Sequence, residues 1–369
     1  MFAVILIHII VFLMQILYAF FKIKRTKKKI LIASRQGNKL SENMQLLADA
    51  LKKEYPEYEI KIISFKGKNS FAGMVQSLKY IILTMYHLAD SRLCILDGYN
   101  MPVSVLKHKK ALKVVQMWHA LMAVKKFGYQ ILDKPNGYKT QVAKALRMHE
   151  QYDLVIAGGE GSRKHFAEAF NMPLEKILPL GAPIVDTLLQ EPDSTIIKTY
   201  PQILEKETIL YAPTFRKNRQ LDINSLIKAF DFDRYNLVIK LHPLDKQLLK
   251  DNRIIIDKKF STEEIMKVCD IVVTDYSALS LSAAIMNKKL FFYIPDAVEY
   301  KTNQGLNIDI ESQFNEYCFT DVNNLISSIN NKYYRKKQVK DFANYYMNVS
   351  EDNCTKMIVQ SLSVFVKVV

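Results

Sequence analysis

Cysteine, glycine and proline are all scarce, and each scarcity closes off a class of protein. The four cysteines, Cys94, Cys269, Cys318 and Cys354, lie far apart with no close metal-ligand pair. That excludes a disulfide framework or a zinc-built domain and fits a reducing cytoplasm. Cys94 and Cys269 read as core-filling thiols inside apolar strands. Eleven glycines and eleven prolines in 369 residues leave no extended linker or low-complexity tract. No glycine-rich Walker loop is present, which argues against a nucleotide-hydrolysing motor. No cofactor is expected, and a divalent-metal requirement stays open. No internal repeat is found.

What is present is a globular composition, 49% hydrophobic, on a chain long enough for two domains of ordinary size. Its 52 Lys+Arg outnumber 37 Asp+Glu, a formal net charge of +15. Such an excess calls for an anionic partner: nucleic acid, acidic lipid or a phosphorylated substrate. No basic stripe interleaved with aromatics and no helix-turn-helix pattern occurs, so nucleic acid is not expected. Residues 1–21 are apolar except for His8, Gln15 and Tyr18, long enough to cross a bilayer, and 22–29 carry Lys22, Lys24, Arg25, Lys27, Lys28 and Lys29. Charge follows the apolar run and no cleavage site succeeds it, unlike a secretory signal. The reading is a single amino-terminal anchor at the cell membrane, with everything after Lys22 on the cytoplasmic side. A helix lying on an anionic membrane surface is the weaker alternative.

Beyond the basic segment, short apolar runs alternate with helical patterns. Ile30–Ser34, Glu59–Phe65, Arg92–Asp97, Lys113–Met117, Asp153–Ala157 and Ile177–Leu180 read as strands. Glu42–Lys53 has helical spacing, and Ser70–Leu88 reads as a more apolar and therefore buried helix. A second series follows: Thr208–Tyr211, Asn236–Leu241, Arg253–Asp257, Ile271–Thr274, Leu290–Ile294 and Tyr317–Phe319. This predicts an α/β protein of two doubly wound, Rossmann-type parallel sheets: an amino-terminal domain over 30–190, a second over 191–335, and a helical tail over 336–369. In such sheets ligands bind beyond the carboxyl ends of strands, and with two lobes the natural site is a cleft.

Polar residues at strand tips are therefore the candidates. Val115-Gln116-Met117-Trp118-His119 runs from a strand to the sole tryptophan and a histidine, with Lys125, Lys126 and Gly128 close behind. A histidine there can move a proton, and the lysines can hold an anion. In the second half, Thr214-Phe215-Arg216 ends a strand with an arginine able to grip phosphate in two places. Lys240-Leu241-His242-Pro243 ends another, and Thr274-Asp275-Tyr276-Ser277 leads into a helix whose free N–H groups suit an anion. These tips point to a membrane-tethered transferase acting on a phosphorylated donor.

Several segments, in this order, also resemble the CDP-glycerol glycerophosphotransferase family, the primases and polymerases of teichoic acid synthesis. They are Val115–His119 with Lys125–Gly128, Tyr152-Asp153, Gly181-Ala182-Pro183 with Asp186, Leu210–Arg216, Lys240–Pro243, Asp270–Ser277 and Gly305. The resemblance implies a GT-B-like fold and transfer of glycerol phosphate or ribitol phosphate from CDP-glycerol or CDP-ribitol to a lipid-linked or polymer acceptor, releasing CMP. It further implies that His119 is the base on the acceptor hydroxyl and that His242 contacts the donor phosphate or leaving group. Arg216, Thr274, Asp275 and Ser277 would hold the donor diphosphate, and Trp118, Lys125 and Lys126 would lie on the acceptor side. The chain departs from the family pattern at Ala120, Ile184 and Ala278, and at Gln304 before Gly305. Those departures leave a GT-B glycosyltransferase of capsule or surface polysaccharide assembly as the alternative.

Overall fold

In a computed structural model of the chain, residues 2–367 are described except 68–69, 217–219, 243, 246, 332 and 349–352. The chain divides into two units. Unit 1 comprises Met1–Leu121, Lys126–Asp186 and Met347–Val369; unit 2 comprises Met122–Lys125 and Thr187–Tyr346. Each is built on one six-stranded sheet, and every strand pair in both is parallel.

The strands of unit 1 are β1 (Lys29–Ser34), β2 (Glu59–Ser64), β3 (Leu93–Leu96), β4 (Lys113–Gln116), β5 (Leu154–Ala157) and β6 (Ile177–Pro179), in the order β2-β1-β3-β4-β5-β6. β1, β3 and β5 are buried at every position. Continuous apolar runs such as Leu-Cys-Ile-Leu are what a parallel strand covered on both faces requires. Burying each Leu or Ile contributes about 1.5–3 kcal/mol. Helix α2 (Glu42–Glu54) starts at Ser41, whose hydroxyl accepts from Met44 N, and turns Met44, Leu47, Ala48 and Leu51 inward. The carboxyl-terminal helix Cys354–Val366 joins the same core through Ile358, Val359, Leu362 and Val366. Asp186 fastens that helix by accepting from Cys354 N at 2.9 Å and Thr355 N at 3.0 Å. Gly181, at φ +85°, leaves room for it, since a Cβ there would meet Cys354 Sγ at 2.5 Å. The tail thus splits: Lys336–Tyr346 belongs to unit 2, and Met347 onward to unit 1.

The amino-terminal helix is long and apolar enough to cross a membrane, and two expectations about the segments that follow it change. Helix α1 (Phe2–Phe21) turns a stripe of Val4, Ile7, Val11, Met14, Tyr18 and Phe21 toward unit 1, all buried or half-buried. Two of its polar residues are used there: Gln15 Nε2 donates to Val105 O at 2.9 Å, and the Tyr18 hydroxyl meets His108 Nδ1 at 2.9 Å. Lys29 does not belong to the basic surface; it is buried as the first residue of β1, 2.6 Å from Asp90. Asp90 also takes Lys24, at 2.8 Å. Finally, helix α3 (Phe71–Leu88) is not buried all round. Tyr80, Thr84, Met85 and Leu88 face inward, while Phe71, Met74, Val75, Leu78, Ile82 and Tyr86 form an exposed apolar face, Phe71 at 82% exposure. Hydropathy reports that a face avoids water, not that protein covers it.

Unit 2 holds β7 (Glu207–Tyr211), β8 (Tyr235–Ile239), β9 (Ile254–Ile256), β10 (Ile271–Thr274), β11 (Lys289–Tyr293) and β12 (Cys318–Phe319), in the order β12-β11-β10-β7-β8-β9. Cys269 is buried at the turn before β10, not within a strand. Chain order reverses between β1 and β3 in unit 1, and between β7 and β10 in unit 2. Those reversals open a crevice at the strands' carboxyl ends, the place where such sheets bind ligands.

Candidate active site

In unit 1, Gln116 closes β4. Fully buried, it donates from Nε2 to Gly98 O at 3.1 Å and accepts from Trp118 N at 2.9 Å, bending the chain just after the strand. Trp118 takes the strain of that bend at φ 55°, a conformation costing a non-glycine residue on the order of 1–3 kcal/mol. Aromatic packing offsets this cost, with Phe127 stacked at 4.7 Å and His149 and Phe170 edge-on at 5.7 and 5.3 Å. Ala120 needs no positive φ, so its methyl group is accommodated. The bend returns His119 to the tips of β1 and β3, where its Nδ1 lies 3.2 Å from Asp97 O and 3.1 Å from Gln36 Nε2. The residue is exposed, but its inner edge is crowded: desolvation lowers its pKa, and the Asp97 carbonyl and carboxylate oppose that. Asp97 is buried; Ser34 Oγ donates to its Oδ2 at 2.6 Å, and burial still raises its pKa.

In unit 2, the tips of β7, β10 and β11 meet at Arg216. Its guanidinium pairs in two places with Asp296, at 2.7 and 3.1 Å, and with Asp275 at 2.9 Å, all three side chains at most 7% exposed. Burial opposes its charge, but the two carboxylates outweigh that and raise its pKa. Asp275 also accepts from Thr214 N and from Thr214 Oγ1 at 2.6 Å. Thr274 is fully buried and donates to Ala212 O at 2.7 Å, joining β10 to β7. Ser277 Oγ accepts from Leu279 N at the start of the helix Leu279–Ile285. Tyr276 is buried under Tyr300, stacked at 4.6 Å, and the Arg216 guanidinium lies 4.2 Å from the Tyr300 ring centre. His242, beyond β8, is exposed, stacks with Phe215 at 5.6 Å and accepts from Leu244 N through Nδ1 at 3.1 Å. Pro243 of the same motif lies outside the described residues.

The sequence candidates therefore gather into two groups, with one exchange. Lys125, read as acceptor-side, belongs to unit 2. There its backbone bridges to Leu306, and its ammonium sits 5.4 Å from the Tyr300 ring centre. Burial lowers its pKa, and nearby Asp275 counters this. Lys126 belongs to unit 1, where its charge is felt by His165. Gly128 serves packing: at φ +57°, a Cβ would strike Ala169 O at 2.2 Å. Sequence reading missed Ser34, Gln36, Thr214, Asp296 and Tyr300. Ser34 ends β1 and Gln36 lies two residues beyond it, so inspecting every strand tip at the order reversal would have found them. Among the described residues, no group of three or more His, Cys, Asp or Glu could hold a metal ion.

Comparison with known proteins identifies the chain's relatives. The family model described as CDP-Glycerol:Poly(glycerophosphate) glycerophosphotransferase matches residues 16–363. A teichoic acid ribitol-phosphate primase of Bacillus spizizenii is 29% identical over 355 residues, covering 91% of this chain and 91% of the primase. A teichoic acid glycerol-phosphate primase of Bacillus subtilis is 27% identical over 310 residues, covering 79% of each chain. In fold, the wall teichoic acid polymerase TagF matches with a TM-score of 0.72 at 19% identity, over 99% of this chain and 97% of that one. On the extent of the sequence match, the chain belongs to the CDP-glycerol:poly(glycerophosphate) glycerophosphotransferase family.

Proposed function

We propose that the protein transfers glycerol phosphate or ribitol phosphate from a CDP-alcohol to a lipid-linked or polymer acceptor in teichoic acid synthesis, releasing CMP. The observation that carries this reading is a histidine beyond a strand tip in each unit, His119 and His242, in a chain matched to the family over 16–363. The two parallel six-stranded sheets support a GT-B-like description. The acceptor oxygen attacks the polyol-side phosphorus, the bond from that phosphorus to the CMP oxygen breaks, and the acceptor proton passes to His119. His242 donates a hydrogen bond to the donor phosphate as charge moves onto CMP. Because two carboxylates already match Arg216, its role is to brace the tips of β7, β10 and β11. Lys125 and the Ser277 turn are then left to receive the diphosphate.

Supplying the purified full-length protein with a lipid-linked acceptor and each CDP-polyol in turn tests this reading. CMP release with one donor is expected. Silence with both would sink it, and UDP release from a sugar nucleotide would replace it with the glycosyltransferase reading.

Membrane attachment is part of the proposal. With one stripe of α1 held against unit 1, the remaining face exposes Ile5, Ile9, Phe12, Leu13, Ile16 and Phe20, and α3 adds a second apolar face. Exposed Arg25, Lys27 and Lys28, with half-buried Lys22, follow α1. This arrangement favours a helix pair lying in the cytoplasmic leaflet with basic side chains on anionic headgroups, over a helix that spans it. The double variant Phe71→Asp/Leu78→Asp should lose most flotation with anionic vesicles while melting as the parent does. Undiminished flotation would leave α1 as sole anchor.

A further inference from the structure

Behind His119, the tips of β1 and β3 close a ring of hydrogen bonds. Gln36 N donates to Ser34 Oγ at 3.2 Å, Ser34 Oγ donates to Asp97 Oδ2 at 2.6 Å, and Asp97 O and the Gln36 amide both meet His119 Nδ1. A backbone carbonyl offers only lone pairs, so its contact with Nδ1 is a hydrogen bond only when Nδ1 carries the proton. The glutamine can turn either end of its amide toward the ring and so follows the carbonyl. Gly98 keeps this space open, since a Cβ there would come within 3.0 Å of Gln36 Nε2. Asp97 Oδ1 is buried and lacks a hydrogen-bond partner among the described residues. An unsatisfied carboxylate oxygen weakens the fold, so its place beside the histidine calls for another account.

We propose that Ser34, Gln36 and Asp97 are positioning residues that fix His119 as the tautomer with a protonated Nδ1 and a bare Nε2. The inference rests on the reading of His119 as the acceptor base and gives that base its reactive atom. When Nε2 takes the acceptor proton, the imidazolium forms beside Asp97, whose charge favours it. The neighbouring Trp118 carries no charge, and burial holds His149 neutral by pushing its pKa down to about 3. The same logic at His242 gives the opposite form. A backbone N–H from Leu244 can only donate, so Nδ1 of His242 is bare and the proton sits on Nε2.

Long-range ¹⁵N–¹H spectra of the full-length protein labelled at histidine, with the His119 signals assigned by His119→Asn, read the tautomer without turnover. Wild type should show His119 with protonated Nδ1. Gln36→Glu, which can only accept, should keep that form and raise the acid limb of kcat/KM by about one pH unit. Gln36→Leu should mix the tautomers and lower kcat by up to about 100-fold, with little change in donor KM. A protonated Nε2 in wild type, or a Gln36→Leu protein with tautomer and acid limb both unchanged, would overturn the inference. If the spectra are as expected but His119→Ala still turns over, the base reading fails while the tautomer assignment stands.

Discussion

His119 and His242 hold matching places in two sheets of the same design, yet their surroundings differ in almost every respect. Each follows the strand one place removed from its unit's order reversal: β4 beside β3, and β8 beside β7. His119 is held by a carbonyl and an amide, beside a buried carboxylate and a strained tryptophan. His242 is exposed, with a phenylalanine on one face and a backbone N–H on Nδ1. On the proposed reading, the first environment suits a nitrogen that takes a proton, and the second a nitrogen that offers one. Charge divides similarly, because the tips of unit 2 gather Arg216 and Lys125 against Asp275 and Asp296. On the proposed reading, one fold used twice supplies a base in one copy and the donor-phosphate contacts in the other.

The largest expected effect falls on the histidines. His119→Ala and His242→Ala should each lower the rate of CMP release by about 10²- to 10⁴-fold while melting near wild type. Glutamine separates the two roles: it can donate an N–H but cannot act as a base near neutral pH. His242→Gln should therefore retain more activity than His119→Gln, and equal losses would erase the contrast.

Next in size is the Arg216 brace. Asp296→Ala leaves a buried guanidinium short of a partner and should cost about 3–5 kcal/mol in denaturant unfolding. Unchanged stability with tighter donor binding would instead make Arg216 a phosphate ligand held in reserve. The smallest effect concerns Lys125. Lys125→Ala should raise donor KM about tenfold, or about 1.4 kcal/mol of binding, and leave acceptor KM unchanged. The reverse pattern would return the residue to the acceptor side.

Much of this was legible in the sequence, for reasons that also mark the limit. Strands such as Leu154–Ala157 stand out because both faces of a parallel sheet must be apolar. His119 and Arg216 stand out because they follow such runs directly. Their partners do not, since Arg216 meets Asp296 across 80 residues and Gln36 meets His119 across 83. Those pairings exist only once the strand order sets β1 beside β3 and β10 beside β7. Lys125 and Lys126 are consecutive, yet the chain passes between units there and sends them to different surroundings. The exposed side of helix α3 is not legible because an apolar face looks the same in sequence whether or not protein covers it.

The most direct test of the central claim is CMP release measured side by side for wild type, His119→Ala and His242→Ala, with CDP-glycerol and CDP-ribitol and a lipid-linked acceptor. The account predicts release by the wild type with one donor and near-complete loss in both variants. No release by the wild type with either donor, or variants that match it, would contradict the account.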